Sequence, residues 1–280
     1  MIAVVDYQKG NLKSVERGLI AAGGEAHITA DASEIAKARA IVLPGVGAFA
    51  DAAATMCELG QMNVIRERVR AGVPFLGICL GEHLMFEHGV EGAPKGDPAC
   101  GLGLLPGTVV AMPRCDAQGK AFKVPHVGWN TIEIPARGEG GEDGGAAELP
   151  PRGGVGGNAV LKQSSLRCGT ARGTSPDSAA LLDGESTTAT FPDSTPQPEN
   201  SLAFSCPLFD GVAPGEYFYF THSYIAPSGS HTIAQTTHSV RFTSAVQYGE
   251  RAFGVQFHPE KSSDAGARVL ANFVAIAARG

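Results

Sequence analysis

Residues 74–81, Pro-Phe-Leu-Gly-Ile-Cys-Leu-Gly, constrain the fold more than any other stretch. Residues 74–78 are a short apolar run, as expected of a strand buried on both faces of a sheet. The run ends in Gly77-Ile78-Cys79-Leu80-Gly81, and residues 82–86 read as the first turns of a helix. A strand turning sharply into a helix, with a nucleophile-type side chain at the turn and a glycine two residues to either side, is a nucleophile elbow. A nucleophile on so tight a turn holds strained backbone angles, and its neighbours must be small to avoid clashing. The N-terminal N–H groups of the following helix favour thiolate over thiol at Cys79.

The chain before the elbow alternates. Residues 2–5 are a continuous apolar run of strand length. Asn11 is placed to cap a helix with Leu12, Val15, Leu19 and Ile20 at helical spacing, which Gly23-Gly24 ends. Residues 25–29 read as a strand, and Asp31 with Glu34 as the capping box of a short helix. Residues 40–43 read as a strand running into Pro44-Gly45-Val46-Gly47, and residues 48–56 and 62–70 as helices. This alternation predicts an α/β fold, a doubly wound and mostly parallel sheet with helices on both faces. Reactive sites in such sheets lie at the carboxyl ends of strands, where both Cys79 and the 44–47 loop fall. From residue 101 the pattern changes. Short β-like runs at 103–112, 122–124, 128–134, 217–224, 231–238, 243–248 and 252–257 predict added antiparallel strands, and 262–278 an amphipathic helix. Residues 136–205 are rich in Gly, Ser, Thr and Pro without sustained periodicity. They predict a low-complexity, disordered surface insertion interrupting a single domain that spans 1–280.

Composition narrows the function. The net charge is −6 with a pI near 5.8, so nucleic acid is not the expected partner. The six cysteines, at positions 57, 79, 100, 115, 168 and 206, show neither a C-x-x-C pair nor zinc-like spacing. His27, His88, His126, His231 and His238 show no metal-like grouping and read as structural. There is no secretory pattern and no apolar run of membrane-spanning length. These features predict a cytoplasmic protein with reduced thiols, no metal, no cofactor and no membrane contact.

A cysteine nucleophile needs a base, and the base an orienting group. The apolar run 252–257 presents His258 at its end, in Gly254-Val-Gln-Phe-His-Pro-Glu-Lys-Ser262. Pro259 turns the chain so that Glu260 can fold back beside the imidazole, fixing its tautomer and stabilising the imidazolium. The backbone N–H groups of Val46 and Leu80 are placed to hold a tetrahedral oxyanion.

The elbow with His-Pro-Glu resembles the class I (triad) glutamine amidotransferases. Further stretches, residues 6–15, 44–47, Pro125-His126-Val127-Gly128-Trp129-Asn130 and Tyr219-Phe-Thr-His222-Ser223-Tyr224, are similar to the glutaminase subunits of imidazole glycerol phosphate synthases. The likeness covers 1–135 and 206–280. It implies that Cys79 attacks the side-chain amide of L-glutamine, that His258 shuttles protons and that Glu260 stands behind it. It implies that backbone around Ser223 and Tyr224 holds the substrate α-carboxylate, with Gly47 and His83 also in the substrate site. Trp129, Tyr219 and Lys261 would face a (β/α)8-barrel cyclase subunit in a heterodimer, which takes the ammonia to make imidazole glycerol phosphate in histidine biosynthesis. Two positions depart from the family. His83 stands where Gln is usual, and as a neutral ring it is expected to replace only part of the lost contacts. Gln8 stands where Gly is usual. A glutaminase serving another synthase, and a pseudo-glutaminase that only regulates a cyclase, are the alternatives. Residues 125–130 weigh against the first, and intact Cys79, His258 and Glu260 against the second.

Overall fold

The apolar runs of the sequence become neighbouring strands. The computed structural model describes residues 1–135 and 203–279. Its elements in chain order are β1 (Ile2–Val5), α1 (Leu12–Ala21), β2 (Ala26–Thr29), α2 (Ala32–Lys37), β3 (Ala40–Gly45), α3 (Phe49–Glu58), α4 (Gln61–Arg70), β4 (Phe75–Cys79) and α5 (Leu80–His83). They continue with β5 (Phe86–Gly89), β6 (Ala99–Cys100), β7 (Leu105–Ala111), β8 (His126–Thr131), β9 (Tyr217–His222), β10 (Tyr224–Ile225), β11 (Thr232–Thr237), β12 (Arg241–Tyr248), β13 (Ala252–Val255) and α6 (Ser263–Ala278).

A seven-stranded sheet has the order β11-β12-β13-β4-β3-β1-β2. Every pair from β13 to β2 is parallel, whereas β11, β12 and β13 pair antiparallel. This is the α/β, mostly parallel, doubly wound sheet with antiparallel additions. Alternate residues of one strand feed separate cores. Val4, Leu76 and Ile78 join Val15 and Leu19 of α1 and Val269, Leu270 and Phe273 of α6. Ala3, Val5, Ile41, Leu43 and Phe75 join Ile35, Phe49, Met56 and Ile65 from α2, α3 and α4. The period-2 pleat thus explains why β1 and β4 are apolar throughout. A smaller sheet, β10-β7-β5-β6, and the antiparallel ribbon β8-β9 complete the sheet structure of the described residues.

Several local expectations are corrected. The helix after Cys79 is a single turn, not a helix through Phe86. The carbonyls of Leu84 and Met85 accept from Leu102 and Leu104 N–H groups of the crossing segment, and Phe86 enters β5. A one-turn helix has little dipole to offer, so α5 does little to favour the thiolate at Cys79. The capping box at Asp31 closes on one side only: Asp31 accepts from Ser33 N–H at 2.7 Å, while its own N–H donates to Thr29 Oγ1 at 3.1 Å. Asn11 occupies the cap position of α1 without a side-chain bond. Residues 122–124 form no strand, and only Ala121 bridges to Cys115. The strands β5 and β6 were not anticipated. The expected insertion, 136–205, lies outside the described residues except for its last three positions. Among the described residues no helix is long and apolar enough to cross a membrane.

Candidate active site

The sheet order brings three distant stretches together. Strand β4 lies between β3 and β13, with Gly45 opposite Cys79 and Val255 opposite Ile78. The loop after β3 and the chain leaving β13 therefore flank the elbow. Cys79 has φ 54° and ψ −106°, a left-handed strained conformation for a residue with a side chain. The glycines meet a steric demand. A Cβ at Gly81 would collide with the Leu43 carbonyl, and one at Gly77 with the backbone of Gly81.

His258 follows β13 by three residues, and its backbone N–H donates to the Tyr219 carbonyl at 2.9 Å. A 3-10 turn over Pro259–Lys261 folds Glu260 back, and His258 Nδ1–H donates to Glu260 Oε1 at 2.9 Å. The side chains of this pair are only 4% and 2% exposed, so solvent screens it little. Burial disfavours the imidazolium, but Cys79 and Glu260 outweigh it and raise the His258 pKa to about 9. Cys79 thus acts on the ring, yet Nε2 has no partner with hydrogen-bond geometry among the described residues. Such looseness is usual before substrate arrives.

On the opposite flank, Val46 is exposed and Gly47 has φ +102°, a backbone state that glycine accommodates readily. Tyr7 is fully buried beneath this loop, and a Cβ at Gly45 would strike its hydroxyl. Leu80, the other expected oxyanion position, is buried directly after the cysteine.

The expected substrate residues Ser223 and Tyr224 follow β9, whose chain passes the sulfur. The Thr221 carbonyl lies 3.9 Å from Cys79 Sγ, one residue before β9 ends. The carbonyl of Ser223 accepts from Met112 N–H at 2.9 Å, and that of Tyr224 from His222 Nδ1–H at 2.8 Å. His83 is buried, with Nε2 2.6 Å from Gln256 Oε1, and burial pushes its pKa down to about 4. Trp129 and Tyr219 meet edge to face at 6.1 Å on the β8-β9 ribbon, and Lys261 Nζ lies 5.8 Å from the Tyr219 ring. Trp129 is 51% exposed there, beside exposed Val127 and Tyr217.

Sequence reasoning missed Gln256 and Glu82. Gln256 is fully buried and donates from Nε2 to Cys79 Sγ at 3.6 Å. A lone polar residue in the apolar run 252–257 was the available signal. Glu82 is fully buried with both carboxyl oxygens unpartnered among the described residues. Burial first, and the neighbouring Cys79 second, push its pKa well up. No group of three or more His, Cys, Asp or Glu among the described residues could hold a metal ion.

The family model for glutamine amidotransferase class-I matches residues 3–135 and 191–277. Among curated proteins, the chain is 34% identical over 274 residues to a protein of Moorella thermoacetica, covering 97% of this chain and 93% of that protein. It is 34% identical over 275 residues to one of Rhodopirellula baltica, covering 98% and 96%. Both are named imidazole glycerol phosphate synthase subunit HisH. Among solved structures, one described as a glutamine amidotransferase matches with TM-score 0.56 at 15% identity, covering 99% of this chain and all of that one. The structure of PurLQS from Thermotoga maritima matches with TM-score 0.54 at 15% identity, covering 98% and 97%. These two likenesses are of fold.

Proposed function

The chain belongs to the class-I glutamine amidotransferases, and on that premise we propose that it is the glutaminase subunit of an imidazole glycerol phosphate synthase. The observation that carries the proposal is the buried His258–Glu260 pair set beside a strained elbow cysteine by the β4–β13 register. In the proposed reaction the Cys79 thiolate attacks the γ-amide carbon of L-glutamine. The N–H groups of Val46 and Leu80 take up the charge on the amide oxygen. The His258 imidazolium then gives its Nε2 proton to the departing nitrogen, which leaves as ammonia, and the acyl group stays on sulfur as a thioester. His258, now neutral, draws a proton from water, whose oxygen attacks the thioester carbon. Glutamate leaves and the thiolate returns, with His258 again an imidazolium oriented by Glu260. The backbone at Ser223 and Tyr224, with Gly47, holds the rest of the substrate. His83 has its Nε2–H committed to Gln256, so Nδ1, an acceptor, is the nitrogen it keeps for substrate.

The ammonia passes to a (β/α)8-barrel cyclase partner, which the exposed Trp129 and Lys261 and the half-buried Tyr219 face. The relatives' names support this partner, and the solvent-facing aromatic ribbon suits an interface. In the complex with such a cyclase, Cys79→Ala abolishes glutamine-dependent synthesis and spares synthesis from added ammonia. Glutamine turnover retained in that variant overturns the assignment.

A further inference from the structure

His258 acts on Cys79 from the chain after β13, and a second polar group reaches the sulfur from residue 256. We propose that Gln256 is a further catalytic residue, donating its amide N–H to the Cys79 thiolate, and that His83 is the positioning residue that keeps the amide turned that way. The proposal rests on the reading of Cys79 as the nucleophile.

The geometry is a relay of three side chains. Gln256 is anchored by its backbone, whose N–H donates to the Ser244 carbonyl at 3.0 Å, directly after β13. Its Nε2 lies 3.6 Å from Cys79 Sγ and its Oε1 2.6 Å from His83 Nε2. A carbonyl oxygen only accepts, so His83 must carry its proton on Nε2. The ring is neutral, because burial pushes its pKa down to about 4. The relay therefore runs from the His83 N–H to the Gln256 oxygen, and from the Gln256 N–H to sulfur.

An amide has two orientations related by a half-turn. The flipped one would set the Gln256 N–H groups against the His83 N–H and the oxygen against the sulfur. Both contacts are repulsive when the sulfur is a thiolate. In its Nε2–H tautomer His83 thus selects the orientation that stabilises the anion. The remaining ionisable neighbours do not oppose it. His258 with Glu260 supplies the opposite charge from the turn after β13. Glu82, from α5, is pushed well up, toward its neutral form, by burial and by Cys79. Tyr7, at the end of β1, is likewise pushed up by burial and by Cys79 and stays neutral. In a water-poor pocket a donor N–H on the sulfur is worth more than it would be in solvent.

The test is the pH dependence of Cys79 alkylation by iodoacetamide in the full chain with its cyclase partner. The Cys79 peptide is followed by mass spectrometry, because exposed Cys57 and Cys100 also react. Gln256→Met keeps length and removes the N–H. It should raise the alkylation midpoint by about one pH unit, the size expected for one hydrogen bond to a charged group. His83→Met should raise it in the same direction, and His83→Gln, whose amide N–H can serve Oε1, should restore it. Gln256→Glu places a carboxylate at the sulfur and should raise the midpoint further, so it serves if Gln256→Met does not fold. Folded Gln256 variants with the wild-type midpoint overturn the proposal. Alkylation of Cys79 that leaves glutamine turnover intact overturns the nucleophile reading instead, and the two failures are separable.

Discussion

Glu260 shows how one buried atom sets the chemistry of its neighbour. Its Oε1 accepts the hydrogen bond of His258 Nδ1–H at 2.9 Å, inside a pocket that leaves the pair almost no solvent. Burial alone would neutralise the imidazole; Cys79 and Glu260 together hold it protonated up to about pH 9. Glu260→Gln keeps an acceptor for Nδ1–H and removes the charge. Glutamine turnover should fall on the order of 10²–10⁴-fold, the range of positioned acid–base catalysis. The alkaline limb of kcat/KM, set by loss of the imidazolium proton, should move to lower pH. A profile whose alkaline limb stays in place would show that Glu260 does not tune the ring.

Between β1 and α1 the chain turns at Gln8, which has φ 68°. A side chain in the left-handed region costs roughly 1–2 kcal/mol, although Asp6 Oδ1 braces the turn by accepting the Gln8 N–H at 2.7 Å. Glycine removes that cost and loses part of the gain by loosening the unfolded chain. Gln8→Gly should therefore stabilise the fold by about 0.5 kcal/mol. Urea denaturation checks it: the midpoint should rise with the slope unchanged. A lowered midpoint would mean that the Gln8 side chain makes a stabilising contact.

Across the whole described fold, buried histidines couple stability to pH. Under the β8-β9 ribbon the Asn130 amide reaches His126 Nε2 at 3.3 Å, His126 Nδ1 meets His222 Nε2 at 3.0 Å, and His222 Nδ1–H donates to the Tyr224 carbonyl. Each ring carries one proton, and a second would break the series. Burial pushes His126 down to about 4 and His222 to about 3. The unfolded chain binds protons at these rings near pH 6.5, so their stabilisation is full above that pH and is lost as pH falls toward 3. His258 works in the opposite sense. Its contribution is full below about pH 6.5 and is lost as pH rises through about 9. Thermal unfolding should show Tm falling on the acid side, as buried His83, His126 and His222 are forced to charge, and on the alkaline side, as His258 and Glu82 lose their protons. His222→Gln should flatten the acid limb; an unchanged limb would place the acid sensitivity elsewhere.

Apolar runs such as 2–5 and 74–78 determined strands by themselves, because a strand covered on both faces leaves a continuous apolar signature. Gly77-Ile78-Cys79-Leu80-Gly81 determined the elbow, and His258-Pro259-Glu260 a histidine with a carboxylate folded back on it, because turn sterics act within a few residues. The one-turn length of α5 was not legible, since Phe86 is drawn into β5 by pairing with Leu105, nineteen positions on. Nor was the meeting of Gln256 with Cys79, 177 positions apart, or of His126 with His222. Local periodicity is blind to strand order. Only packing β13 against β4, which buries Phe253 and Val255 beside Leu76 and Ile78, decided which polar groups reach the sulfur.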